Sequence, residues 1–270
     1  MKHPGSAAAN MHGVVLDIES APSLDLVQAV GAGGRHGFER PALHKIVCAS
    51  ALTFHQCVET GEFSGLSLHT FTSEERPEAS ILVGVDLLLP DAREATSRLI
   101  TWNGRHDLRI LHARAVALWL AGLGALRGWL DRGSFPRHLD LMRETGSDAR
   151  GWQRLRDVCA GMGITIQGSG ETVTRAIAAG AWDRVACHNR MDVLGTFLVH
   201  AGRETFRRGC PVPYATAWRE VSKLTRGRRG AFSQEGYLST HYLVDVAARQ
   251  LASHNERDCT CRSRLAEPQS

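Results

Sequence analysis

Asp17 and Glu19 stand in a run, Val14-Val15-Leu16-Asp17-Ile18-Glu19, that is otherwise made of strand-forming apolar residues. Two residues apart on a strand, their side chains leave the same face. Two carboxylates side by side in a buried strand lose hydration and repel each other. A hard divalent cation held by oxygen ligands would compensate both. Alternatively, Glu19 opens a solvated turn ahead of Ala21-Pro22. These six residues leave both readings open.

Three further acids or bases have chemically suggestive settings. Asp107 follows Leu99-Ile100-Thr101-Trp102, a short strand, and the turn Asn103-Gly104, and falls in the first turn of the helix expected from Arg105 to Leu120. A carboxylate where a strand hands over to a helix lies where α/β folds place ligands. It could equally do no more than favour the helix dipole, worth tenths of a kcal/mol. His188 and Asp192 are four apart on a late helix and share a face. They form either a simple hydrogen-bonded pair or a base next to a metal ligand. His55 and Cys57 have no second half at zinc-site spacing, so a strand end is the better reading. Gly31, Gly33 and Gly34 are followed by His36 where a dinucleotide fingerprint needs glycine. Neither a phosphate-binding Gly-Lys-Ser/Thr nor a Gly-x-Ser-x-Gly elbow occurs.

The elements that must position these groups can be read coarsely. Lys45 to Phe54 and Gly65 to Phe71 are strands that could extend the first into an antiparallel run. Glu74 to Leu89 reads as a helix with an acidic first turn, and Leu123 to Phe135 as a connection in which Trp129 packs. His138 to Met142 is a short strand with Asp140 inside it, and Trp152 to Met162 a helix stopping at Gly163. The loop Gly168-Ser169-Gly170 precedes a helix from Glu171 to Ala179. On the helix Ala181 to His200, Trp182, Val185, Val193, Leu194, Phe197 and Leu198 form the buried side. From Arg203 to Gly230, eight basic residues face two glutamates, an excess of six. That stretch is a solvated face or a surface for phosphodiesters. Tyr237 to Leu251 reads as one more helix.

Bulk properties exclude little. The chain has 270 residues, 43% hydrophobic and 22% charged, with net charge +4, which permits a nucleic-acid partner without requiring one. No apolar run approaches the roughly 20 residues of a membrane span. Seven scattered cysteines suit reduced thiols, and the start lacks a signal-peptide core, so a cytoplasmic protein is expected.

Taken in order, Asp17-Ile-Glu19, Trp102-Asn103-Gly104-x-x-Asp107 and His188-x-x-x-Asp192 resemble the three motifs of the DEDD 3′–5′ exonucleases. The nearest likeness is to predicted stand-alone exonucleases similar to the family-B DNA polymerase proofreading domain. Asp140-Leu141-Met142, Gly168-Ser169 and Asp192-Val193-Leu194-Gly195-Thr196 match further habits of that group. The resemblance implies a ribonuclease H-like α/β fold, a mixed β-sheet flanked by helices, with a mainly helical C-terminal extension. On this reading residues 1–11 are a flexible leader, 12–205 the exonuclease domain, 206–253 a basic extension and 254–270 a disordered tail. It also implies two Mg²⁺ or Mn²⁺ ions held by Asp17, Glu19, Asp107 and Asp192, with His188 as base. Ile18, Trp102 and Asn103 would contact substrate, a nucleic acid with a 3′ end, single-stranded DNA favoured over RNA. In one respect the chain departs from the group: His188 stands where a tyrosine is usual, and Cys187 stands where the histidine subfamily has its histidine. The other expectation is a ribonuclease H-like scaffold that binds nucleic acid or protein without catalysis.

Overall fold

The computed structural model describes residues 10–31, 40–131, 137–145, 153–164, 166 and 170–226. At its centre is β1 (Asn10–Pro22), followed by α1 (Leu24–Ala29) and a short 3₁₀ turn at Pro41–Leu43. Next come β2 (His44–Cys57), β3 (Phe63–Thr72), α2 (Glu78–Leu88), β4 (Ser97–Thr101) and α3 (Gly104–Ala117). After α4 (Gly124–Leu130), β5 (His138–Asp140) and α5 (Leu141–Glu144) lie α6 (Leu155–Gly161) and α7 (Gly170–Ala178). The last two helices are α8 (Trp182–Arg208) and α9 (Val212–Arg226).

The five strands form one mixed sheet in the order β3-β2-β1-β4-β5. β1 pairs antiparallel with β2 and parallel with β4, and β5 continues the parallel half. This is the flanked mixed sheet expected of a ribonuclease H-like fold. Because β1 is covered on both faces, its apolar residues run nearly without interruption. Val14, Leu16 and Ile18 enter a core with α2, α3 and α4, whereas Val15 enters the opposite core with Phe197 of α8 and Trp218 of α9. The alternation therefore turns Asp17 and Glu19 toward the α8 side.

Arg114 of α3 makes a two-pronged pair with Glu78 of α2, at 2.7 and 2.8 Å, and Glu78 also accepts the Ile46 N–H of β2 at 2.8 Å. Three elements on one face of the sheet are thereby joined at a nearly dry point.

Several elements differ from the sequence reading. The expected connection at 123–135 holds helix α4, fastened by two tertiary hydrogen bonds. Asp86 Oδ1 accepts the Leu126 N–H at 2.7 Å, and Trp129 donates its indole N–H to Pro90 O at 2.8 Å. The strand expected over 138–142 ends at Asp140, where the chain coils into α5. Residue 205 lies inside α8, and α9 adds Ala217, Trp218 and Val221 to the same core. Trp152, Gly168-Ser169, the helix expected at Tyr237–Leu251 and the tail at 254–270 lie outside the described residues. No helix among the described residues is long and apolar enough to cross a membrane.

Candidate active site

β1 and β4 run parallel with Val15 opposite Ile100, so Asp17 stands level with the residue that follows β4 and Glu19 two residues beyond. At that carboxyl edge β1 slips register against β2 between Glu19 and Ser20. Such a bulge bends the strand and redirects the neighbouring side chains. β4 hands over to α3 through Asn103, whose carbonyl accepts the N–H groups of His106 and Asp107 at 2.9 and 3.2 Å. A side chain on Gly104 would collide with Thr101 Oγ1 and His138, which are hydrogen-bonded to each other at 3.0 Å. The tight turn swings Asp107 over the end of the sheet, where its Oδ2 is buried without a hydrogen-bond partner.

α8 crosses the same edge and supplies the rest. His188 Nε2 lies 3.5 Å from Asp192 Oδ2 and 3.7 Å from Glu19 Oε1. One ligand atom from each of Glu19, His188 and Asp192 falls within 4.8 Å of the others. Asn189 donates its side-chain N–H to Asp17 Oδ2 at 2.5 Å.

Electrostatics tie the four acids together. Burial raises the proton affinity of Asp17 well above the usual carboxylate range; Asp192 adds to this and the Asn189 hydrogen bond opposes it. Glu19 is raised by burial and then by Asp17, Asp192 and Asp107. Asp107 is raised by burial and then by Asp17, Asp140 and Asp192. Burial pushes Asp192 up to about 7. Four carboxylates from β1, α3 and α8 thus crowd a single place with no cationic side chain among these causes.

The residues picked out in the sequence divide clearly. Asp17, Glu19, Asp107, His188 and Asp192 come together. Ile18 is turned away: its side chain packs in the core on the α2/α3 face, leaving only its backbone at the site. Trp102 is buried in the α8-side core, and Asn103 is half-buried at the turn.

Asn189 and Asp140 were not anticipated as site residues. Asn189 lies three positions before Asp192 and so shares its face, and it has no accessible surface, a rare setting for an amide. Asp140 accepts the Arg105 N–H at 3.2 Å and sits close enough to Asp107 to raise it.

Hard oxygen donors with one imidazole, half-buried for the most part and mutually repelling, suit a divalent cation of the Mg²⁺ or Mn²⁺ type. No curated protein matches the chain. A family model does match, over residues 36–223. That range contains Asp107, His188, Asn189 and Asp192; Asp17 and Glu19 precede it and join the site through the pairing of β1 with β2 and β4. The family is described as predicted 3′–5′ exonucleases related to the exonuclease domain of PolB, and the chain belongs to it.

Proposed function

We propose that this protein removes nucleotides hydrolytically from the 3′ ends of nucleic acid, releasing nucleoside 5′-monophosphates, with the help of two divalent cations. The observation that carries the reading is the convergence of four carboxylates, Asp107 buried and the other three half-buried, each raised by desolvation and three of them also by one another, in a member of this family.

Asp17, Glu19 and Asp192 would hold one Mg²⁺ or Mn²⁺, and Asp17 with Asp107 the other. Bound there, such ions lower the pKa of water and offset charge on the transferring phosphate and departing oxygen. His188, beside both Glu19 and Asp192, orients the attacking water and accepts its proton, the general-base role an imidazole can take. Asn189 fixes the carboxylate plane of Asp17. Asp140 steadies the start of α3, and hence Asp107, through the Arg105 N–H.

A groove of about 320 Å³ adjoins Asp140 and is lined by the exposed Arg105, Arg109 and Arg143. Three guanidiniums beside the acid cluster suit the phosphates of a strand whose end enters the site. The relation to PolB favours DNA.

A 5′-labelled oligonucleotide tests the reading. With Mn²⁺ or Mg²⁺ the wild type should yield a ladder shortening from the 3′ end, and Asp17→Asn and Asp192→Asn should each abolish it while remaining folded. A ladder that persists in either variant removes the mechanism. A single- and double-stranded DNA and RNA panel then fixes the substrate.

A further inference from the structure

At the other end of the sheet lies a cavity of about 610 Å³ that the proposed hydrolysis does not use. Its wall includes Met11, at the start of β1, and Arg98, at the start of β4. Met11 is six residues before Asp17, so along a strand the two ends are about 20 Å apart. The long helix α8 spans the same gap, with Asp192 near one end of the sheet and His200 and Arg208 at the other.

Five arginines, at 98, 137, 203, 207 and 208, line this cavity against two glutamates, at 144 and 204. Glu204 is already contacted by Arg207 at 2.8 Å, Arg208 at 3.4 Å and Arg203 at 3.6 Å, and Glu144 pairs with Arg203. Arg98 is held instead by the carbonyls of Ala95 and Ser97, at 2.9 and 2.8 Å, which fix its guanidinium without neutralising it. Burial and then Arg137 disfavour the charge on Arg98, and Glu204 favours it. Among the residues that line the cavity, arginines outnumber glutamates by three.

His200 supplies the second observation. It is 96% buried (4% exposed), lines the cavity, and neither ring nitrogen has a hydrogen-bond partner. Burial pushes its pKa down to about 4; Glu204 opposes the shift and Arg203, Arg207 and Arg98 reinforce it, so at neutral pH the ring is uncharged and carries one N–H donor. An unmatched donor inside a protein is costly, and an oxyanion in the cavity would accept from it.

We infer that this cavity is a binding site for a phosphate-type oxyanion, held by Arg98, Arg137 and Arg207 and by the N–H of His200. A free phosphorylated nucleotide or the backbone of a bound strand could present that group; the recognition chemistry is the same.

The test uses the full chain in EDTA, so that the acid cluster is metal-free and repels anions. Calorimetric titration with inorganic pyrophosphate, and separately with a short oligonucleotide, should show saturable binding by at least one of them. Arg98→Gln and Arg207→Gln should each weaken it about tenfold or more, the loss expected for one charge-assisted hydrogen bond. Asp17→Asn should bind as the wild type does. The imidazole ¹⁵N signal missing from His200→Phe should move on saturation. Arg207 is exposed, so its variant carries the test if Arg98→Gln fails to fold. Pyrophosphate binding assigns the cavity to free phosphorylated ligands, and binding of the oligonucleotide alone assigns it to the strand. If neither binds at millimolar concentration, or if Arg207→Gln binds as tightly as the wild type, the site is refuted.

Discussion

The amide of Asn189 sits against the Asp17 carboxylate, and its contribution can be separated from metal ligation. Its hydrogen bond to Asp17 is the one effect that lowers the proton affinity of that group, against burial and Asp192. On the other side its Oδ1 accepts from Cys48 Sγ at 3.5 Å, so the amide cannot easily rotate away. Asn189→Ala should therefore leave every acid in place but let protons compete better for Asp17. The Mg²⁺ concentration for half-maximal nuclease activity should rise roughly 10–100-fold, as when partners of metal ligands are lost. Because Asp17 would be raised further, the deficit should widen as pH falls. Metal titrations of activity at two pH values would show it, and an equal deficit at both would refute the role.

Among the elements, α2, α3 and β2 meet at the Glu78–Arg114 pair, whose side chains are only 13% and 7% exposed. Removing one partner strands the other, at about 3–5 kcal/mol, whereas replacing both with apolar residues is often nearly neutral. Arg114→Met should accordingly lower urea-unfolding stability by that amount, and Glu78→Met with Arg114→Met should recover most of it. A double variant no better than the single would mean that the Glu78 bond to the Ile46 N–H is the larger part. The same comparison of local and distant bonds explains what the sequence made legible. The alternation in β1 and the i, i+4 spacing of His188 and Asp192 are local, so both like-facing pairs could be read directly. Helix α4 could not: seven residues with two glycines have little helical preference, and it is Asp86 and Pro90, some 40 positions away in sequence, that hold it. Asn189 and Asp17 are 172 positions apart, and only the folded sheet pairs them. The family resemblance implies a substrate contact for Ile18, yet strand alternation turns its side chain into the opposite core.

Over the whole molecule, the two ends of the sheet hold buried ionisable groups of opposite kind, and their effects on stability run against each other in one pH window. Asp192 titrates near 7 in the metal-free fold against about 3.9 unfolded, so between those values the folded state binds more protons. Stability from this end is greatest below about pH 4 and is lost as pH rises to about 7; Asp17, Glu19 and Asp107 are shifted in the same direction. His200 titrates near 4 against about 6.5 unfolded, so there the unfolded state binds more protons. Stability from that end is complete above about pH 6.5 and is lost as pH falls toward 4. In EDTA, Asp192→Asn deletes part of one slope and relieves its neighbours, so relative to wild type its melting temperature should climb with pH across the window. His200→Phe deletes the other slope and should drift the opposite way. Only slopes are compared, so a constant packing penalty from either substitution cancels. Saturating Mn²⁺ added to the wild type should mimic Asp192→Asn, because a bound cation favours the ionised carboxylates. Thermal melts from pH 4.5 to 7.5, with and without Mn²⁺, measure all four curves. Parallel profiles for the two variants would show that these buried groups do not govern the acid response of the fold.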